Sequence, residues 1–549
     1  MAKESPCSSE PLSTSMEHVL LLSSLPTVKE QLKACCKPTY QIRKLKNKGA
    51  ILVLIWNFLV MNLFYYLSTH VTDQRPHYIT WGITLPIAGW LADVHLGRYK
   101  VIRWSMWIMW AGSILATTSS VVAQLVGNYS NICNRVTLAL LILTSIGFGG
   151  CQANIIQFGI DQLHDASTTE ITSFISWYTW TCVSGGIAID YAYKCAPEEY
   201  HILGQFVVCI CLTIMLSLSL LFGDQLVKEP VTQNPFKLVY NVIQYAIKNA
   251  RPKRRSAFTY CEDDLPSRID FGKAKYGGPF TTEQVEDVKT FLRLLTVVFV
   301  GCTLPSVVGI VSDLRNQVIK LFTHSNQLDT PTIDCYLGKF YANTLFFSAA
   351  VLIPLYEFVF YPVLRKYFSW VKSYWKFSLG VALQLARVIT LMAFELIARH
   401  TYLEHHGSIQ CIFAEKDGVL STSFNIKWMI LPNVLNSLSV VILGIGGIEF
   451  ICAQTPYSMK GLMFGVVYGS VAVFAVIGYG IAQPFTKQLS IWGTGMVSCG
   501  FWYLMLIASF LVFDSAVLSV LGKLYKKRKR EDVLPNEQIF AERYYSRQY

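Results

Sequence analysis

The stretch AGWLADVHLGRYKV, residues 88–101, lies between two long apolar runs and crowds Asp93, His95, Arg98 and Lys100 into a short connection. Each flanking run is about 20 residues, enough to cross a hydrocarbon layer of about 30 Å as a helix. Runs of this kind recur along the whole 549-residue chain, which is 52% hydrophobic and only 15% charged. Soluble domains carry about 25% charged residues. The chain is therefore read as an all-α, multi-span membrane protein, and 88–101 as a tight polar link between two spans.

Working outward, twelve spans are expected: 49–70, 77–95, 100–126, 135–157, 170–192, 202–223, 288–312, 340–363, 374–398, 428–452, 460–483 and 490–521. The longest connection, 224–287, divides them six and six. Five parts follow: a tail 1–48, a six-helix bundle 49–223, a linker 224–287, a second six-helix bundle 288–521 and a basic tail 522–549. Two such bundles around a central cavity is a transporter plan. Lys and Arg gather in the first tail, the 93–100 link, the linker, 364–376 and the last tail. Basic flanks mark the cytoplasmic side, so both termini are expected inside. The sequon at Asn128 then falls outside, where it can be glycosylated.

The net charge of +12 comes from runs such as KKRKR (526–530) and RPKRR (251–255) beside spans, not from a folded basic domain. Nucleic acid is excluded as a partner on that ground. No cleavable signal peptide is read in the polar first tail. Within the linker, NPFKLVYNVIQYAIKNA (234–250) has an apolar face of Phe236, Val239, Tyr240, Ile243 and Ile247. Its polar face is Lys237, Asn241, Gln244 and Lys248. This is an amphipathic helix for the bilayer surface or the underside of the bundle. The next stretch, 261–284, is read as irregular. Of 15 cysteines, Cys133, Cys195, Cys335 and Cys411 fall at outer connections, where disulfides form. Three pairings are open; Cys133–Cys195 with Cys335–Cys411 keeps each bridge within one bundle. Neither a metal-ligand spacing nor a cofactor motif is present.

Two readings fit the opening stretch. The charges can be a solvated loop that follows the positive-inside rule. Alternatively Asp93 and Arg98 hold helix ends together as an inner gate, with Asp93 near the N-terminus of the helix that follows and Gly97 permitting the turn. Glu449 and Lys460, at the inner ends of spans ten and eleven, are read as further gate residues.

LADVHLGRYKVI (91–102) resembles the segment after the second span of the proton-dependent oligopeptide transporter family, the peptide/nitrate or solute carrier 15 family. GFGGCQANIIQFGIDQL (147–163) is similar to its fourth-span signature. SFISWYTWTCVSGG (173–186), EQVEDVKTFLRLL (283–295), LIPLYEFVFYPVLRK (352–366) and GIEFICAQTPYSMKGLM (447–463) resemble further segments, in the family's order, over roughly 45–520. The resemblance implies a twelve-helix major-facilitator bundle, di- and tripeptide substrates, alternating access and proton coupling.

The family's charged working positions are absent. Its first-span E-x-x-E-R falls on Phe58, Met61 and Asn62, or on Asn57, Val60 and Met61 if aligned on Phe58; Tyr65 and Tyr66 match its two tyrosines. Its fourth-span Lys falls on Gln152, its tenth-span Glu on Val440, its fifth-span Asn on Val183, its eighth-span Asn on Leu345 and its eleventh-span Trp on Val467, beside Tyr468. Without titratable groups, proton-driven uptake of the family's usual kind is doubtful. Candidate substrate contacts are Tyr65, Tyr66, Gln152, Arg387 and Tyr468. Arg387 stands near the middle of span nine and either meets an anion or pairs internally, with Glu395 for example. Trp177 and Tyr178 are read as packing.

The expected function is secondary transport of peptide-like or other small organic solutes, with a small solute and the lipid bilayer as partners. A non-transporting receptor or scaffold on the same fold is the alternative. The connections lack a nucleophile–base or metal constellation, so the chain is not read as an enzyme. Glu17, Leu21 and Leu22 match an acidic dileucine pattern for a sorting adaptor, leaving the plasma membrane and endolysosomal membranes open.

Overall fold

The computed structural model describes residues 47–70, 75–126, 130–163, 166, 168–194, 201–231, 234–249, 267–300, 344–360, 373–406, 413–414, 428, 430–482, 496–497 and 501–525. Long helices dominate them. The first set comprises α1 (Lys48–His70), α2 (Arg75–Leu91), α3 (Arg98–Val126), α4 (Ser130–Asp161), α5 (Thr168–Lys194) and α6 (His201–Phe222). The linker contains α7 (Pro235–Lys248). The second set comprises α8 (282–300), α9 (Thr344–Leu355), α10 (Ser373–His406), α11 (Ile430–Gln454), α12 (Lys460–Ala482) and α13 (Phe501–Leu524). Among the described residues seven of these, α3, α4, α6, α10, α11, α12 and α13, are long and apolar enough to cross a membrane. Besides helices there is one two-residue antiparallel pair, Phe413–Ala414 with Met496–Val497.

Apolar side chains cover both the core and the outer surface, as they must in lipid, where no water competes for the backbone and intrahelical hydrogen bonds are obligatory. Ile79, Ile83 and Ile87 form an exposed stripe on α2, while Trp81, Leu85 and Ala88 of the same helix are buried. Trp81 of that stripe meets Phe148 of α4, while Gly82, Leu85 and Gly89 of α2 face the other set.

There α2 lies against α12 through glycines. A Cβ at Gly89 would come within 2.2 Å of the Gly461 carbonyl oxygen, one at Gly465 within 2.5 Å of the Leu85 oxygen, and one at Gly469 within 2.9 Å of the Gly82 oxygen. The four-residue spacing of Gly461, Gly465 and Gly469 puts all three on one face of α12, the small-residue packing that lets membrane helices approach closely. A second junction joins α5 to α9, where the Trp180 indole donates to the Ala350 carbonyl at 3.1 Å and Trp177 meets Phe358 edge-on.

The linker is more ordered than its composition indicates. Asn234 caps α7, accepting from the Phe236 and Lys237 amides. The face of α7 that packs is Pro235, Val242 and Ala246, whereas Phe236, Tyr240 and Ile247 are exposed. The packed side therefore lies beside the apolar face read from periodicity. Gln162, at the end of α4, holds the linker's start: its Nε2 donates to the Val227 carbonyl at 3.0 Å and its Oε1 accepts from the Val227 amide at 2.9 Å. Asn47 donates to the Gln162 carbonyl at 2.6 Å, tying in the entry to α1.

Residues 267–289, read in part as irregular, form a compact knot. Lys273 and Lys289 each place Nζ 2.7 Å from Asp270, and both also pair with Glu286. Burial alone would raise the Asp270 carboxyl. Hydrogen bonds from Lys273, Lys289 and Ser267 outweigh it and hold that carboxyl well below the ordinary carboxylate range.

Candidate functional site

Two polar constellations join the two sets of helices. The first is at the end of α2. The chain leaves α2 through a π-turn, Ala92–Leu96, and reverses at Gly97, whose φ of 80° favours glycine. This turn buries Asp93 with its carboxylate facing the other set of helices. Its Oδ2 accepts from the Leu462 amide at 2.8 Å and its Oδ1 from the Gly461 amide at 3.2 Å. These are the first-turn amides of α12, which lack partners within their own helix. The sequence places Asp93 beside the helix that follows it; in the structure the carboxylate instead caps a helix 368 residues further on.

Arg98, also buried, lies 3.4 Å from Asp93 and makes a direct ion pair with Asp161 at the end of α4. Gln157 donates to the other Asp161 oxygen at 3.0 Å. Two carboxylates share one guanidinium, which leaves one negative charge over. The positive N-terminal end of α12 faces that charge. Of the other residues read as gate groups, Glu449 pairs with Lys376, joining α11 to α10 within the second set. Lys460 opens α12.

The second constellation is formed by α1, α4, α5 and α12. Gln152 donates from Nε2 to the Tyr178 hydroxyl at 2.8 Å. Tyr178 also faces Tyr468 of α12 and Cys182, with which it shares side-chain hydrogen bonds. Asn57 of α1 donates to Thr181 Oγ1 at 2.8 Å and to Cys182 Sγ at 3.3 Å. Gln152 and Tyr468 are thus brought together through Tyr178, a residue that sequence reasoning assigned to packing. Asn57, Thr181 and Cys182 were not singled out as site residues. The signal for Asn57 is a lone amide in LVLIWNFLVM (52–61).

Arg387 is elsewhere, on α10 and 1% exposed. One turn before it, Gln384 donates to Asn436 Oδ1 of α11 at 2.7 Å, and Ser439 donates to the Gly380 carbonyl at 2.7 Å. This polar seam lies inside the second set. Glu357 is buried in the π-turn Tyr356–Phe360. Asp514 of α13 was missed. It is fully buried in line with Ile507, Leu511 and Leu518, and neither carboxylate oxygen has a hydrogen-bond partner among the described residues. A single acid in the 24-residue apolar helix FWYLMLIASFLVFDSAVLSVLGKL was the available signal.

The side chains of Tyr65, Tyr66, Cys133, Leu345 and Glu395 lie outside the described residues, as do Glu17, Leu21, Leu22, Asn128, Cys195, Cys335 and Cys411 in full. Cys151, Cys182, Cys209, Cys211 and Cys452 are free thiols. Among the described residues no group of three or more His, Cys, Asp or Glu is placed to hold a metal ion.

Apolar helices in two sets, joined by a glycine seam and a capped helix end, define a multi-pass membrane protein of transporter architecture. Residues 99–496 match the model of the PTR2, or POT, family, and the chain belongs to that family. Solute carrier family 15 member 3 of Mus musculus is 22% identical over 435 residues, covering 72% of this chain and 73% of the relative. NRT1/PTR family protein 2.9 of Arabidopsis thaliana is 22% identical over 429 residues, covering 70% and 72%. The in meso crystal structure of the POT family transporter PepTSo superposes with a TM-score of 0.58 at 15% identity, over 87% of this chain and 98% of that one. At that identity the structural likeness is one of fold.

Proposed function

We propose that this protein is a secondary transporter of peptide-like or other small organic solutes. It works by alternating access, with twelve spans in two six-helix bundles, 49–223 and 288–521, and both termini cytoplasmic. The observation that carries the reading is the Asp93 cap on α12, a contact between the two sets of helices that can be made and broken as a unit. Family membership supports the transported class.

Opening the end that carries Asp93 requires the carboxylate to leave both amides and the glycine seam to part. A hydrogen bond to a charged group contributes about 1.5–3 kcal/mol. Two of them amount to a few kcal/mol, the size of bias that a solute's different affinity for two states can overcome. Asp93 and Arg98 act as the gate in this account, and the Gln152–Tyr178–Tyr468 cluster is the solute contact. Glu449 steadies α10 against α11. Tyr65, Tyr66 and Arg387 are further candidate solute contacts. Asn128 as an outer glycan site, Cys133–Cys195 and Cys335–Cys411 as disulfides, and a sorting adaptor at Glu17, Leu21 and Leu22 on the way to the plasma or endolysosomal membrane complete the proposal.

Reconstitution into liposomes with a panel of di- and tripeptides, amino acids and nitrate tests it. Saturable uptake of any of them is the expected result. A protein that binds solutes yet moves none is the receptor or scaffold instead, a reading favoured by the neutral residues at Gln152 and Val440.

A further inference from the structure

The cluster of Asn57, Gln152, Tyr178, Thr181, Cys182 and Tyr468 is short of hydrogen-bond donors. Asn57 is 0% exposed and Gln152 4% exposed. Both spend their amide nitrogens inside the cluster: Asn57 on Thr181 and Cys182, Gln152 on Tyr178. Thr181 turns its own hydroxyl proton to the Tyr178 carbonyl at 2.7 Å. Asn57 Oδ1 and Gln152 Oε1 are left buried with no partner among the described residues. Buried polar atoms in native proteins are nearly always satisfied, so an orphaned one calls for an explanation. Here two are found in one cluster, on helices of the first set and beside a tyrosine of the second.

Charge is the other half of the argument. The side chains bonded within this cluster are amides, hydroxyls and a thiol. Among the described residues of the cluster a buried carboxylate would meet no cation, and its remaining hydrogen-bond needs would find the amide nitrogens already engaged. A free ammonium would be desolvated against neutral groups alone. Burying an ion without a counter-charge is strongly unfavourable.

We propose that this site takes an uncharged solute whose N–H or O–H groups donate to Asn57 Oδ1 and Gln152 Oε1, a carboxamide or a peptide with blocked ends, in preference to a zwitterion. The inference rests on the transport reading for its setting, since it names the solute class of the same site. Tyr468 then closes the site from α12, so that occupancy is sensed by the helix that Asp93 caps.

The test uses the full chain in lipid nanodiscs and reads thermal stabilisation by N-acetyl-Ala-Ala-amide and by free Ala-Ala over a concentration series. The blocked peptide is expected to bind roughly a hundredfold more tightly than the zwitterion, which corresponds to a penalty of two tenfold steps for unpaired charge. Replacing either acceptor, Asn57→Leu or Gln152→Leu, should weaken the blocked peptide about tenfold and leave the zwitterion's weak binding unchanged. Gln152→Lys should reverse the preference, because it supplies a cation for a carboxylate. Equal or tighter binding of free Ala-Ala by the unmodified protein overturns the inference, as does the absence of stabilisation by either ligand. Uptake into liposomes is scored separately. Binding of the blocked peptide without uptake removes the transport reading and leaves the solute class standing, whereas uptake of the zwitterion alone does the reverse.

Discussion

Asp93 answers the question its own sequence raises. A carboxylate in a short link between two apolar spans is buried because two backbone amides of α12 and one guanidinium receive it. Asp93→Asn keeps an acceptor but removes the charge facing the α12 N-terminus. The variant should lose about 2 kcal/mol of this contact, or roughly thirtyfold in the population of the capped state. Hydrogen exchange of the Gly461 and Leu462 amides reports it directly; unchanged exchange would mean that the carboxylate does not cap α12 in the membrane. Asp270 gives a pH prediction. Its carboxyl is held below the ordinary range, so its contribution is complete above the unfolded value of about 3.9 and falls away as pH drops through the lower folded value. Lys273, raised by its pairs with Asp270 and Glu286 despite burial, contributes fully below its unfolded value and loses its share only as pH rises through the higher folded one. Residues 267–289 should therefore resist protease at neutral pH. Asp270→Asn should be cut there under the same conditions, with a penalty of about 1.5–3 kcal/mol for the lost charged hydrogen bonds. Equal resistance of the two proteins would remove the ion pairs as the cause of the knot.

The α2–α12 seam is a device of elements, not of single side chains. Gly89→Ala places a methyl within 2.2 Å of the Gly461 oxygen, an overlap that only separation of the helices relieves. Overpacking of this kind costs about 1–3 kcal/mol. The expected outcome is a lower melting temperature together with faster exchange at the start of α12. Gly480→Ala, on the same helix but with nothing within 4 Å of the added methyl, is the control and should behave as the unmodified protein does. Equal melting of both variants would show that the two helices are not in contact. The apolar character of such helices was legible in the sequence, because a run of about 20 apolar residues has few alternatives to a membrane helix. Which faces meet was not. The exposed Ile79–Ile83–Ile87 stripe of α2 is as apolar as the buried Trp81–Leu85–Ala88 stripe, and in lipid periodicity no longer separates inside from outside. For α7 the apolar face was legible, but the packed face, Val242 and Ala246, is its neighbour.

At the scale of the whole molecule, the family was legible because its motifs recur in order, in the link 91–102 and inside spans such as 147–163 and 173–186. The candidate site was half legible. Gln152 stood out as a replacement at a known position and Tyr468 as the neighbour of another, Val467, but Asn57 bonds to Thr181 124 residues away, and no local pattern announces such a pair. By the resemblance Gln152 and Val440 stand where the family has Lys and Glu, and neither side chain can carry a proton. Uptake is accordingly expected to be the same with and without an inward proton gradient when the membrane potential is clamped. Accumulation driven by ΔpH alone would overturn this, and Asp514→Asn with Glu-to-Gln changes at Glu357, Glu395 and Glu449 would identify the carrier. The Asp93 cap has a further consequence, in time. Its partner amides are made 368 and 369 residues later, which at synthesis rates of 5–20 residues per second is a delay of roughly 20–70 s. Asp161 comes only 63 residues after Arg98. The Arg98 pairings are thus complete while the ribosome is still far from α12. Until the α12 amides exist, the Asp93 carboxylate has only a share of that guanidinium, so the charge left over by the pair is answered last, when the helix it caps has been made.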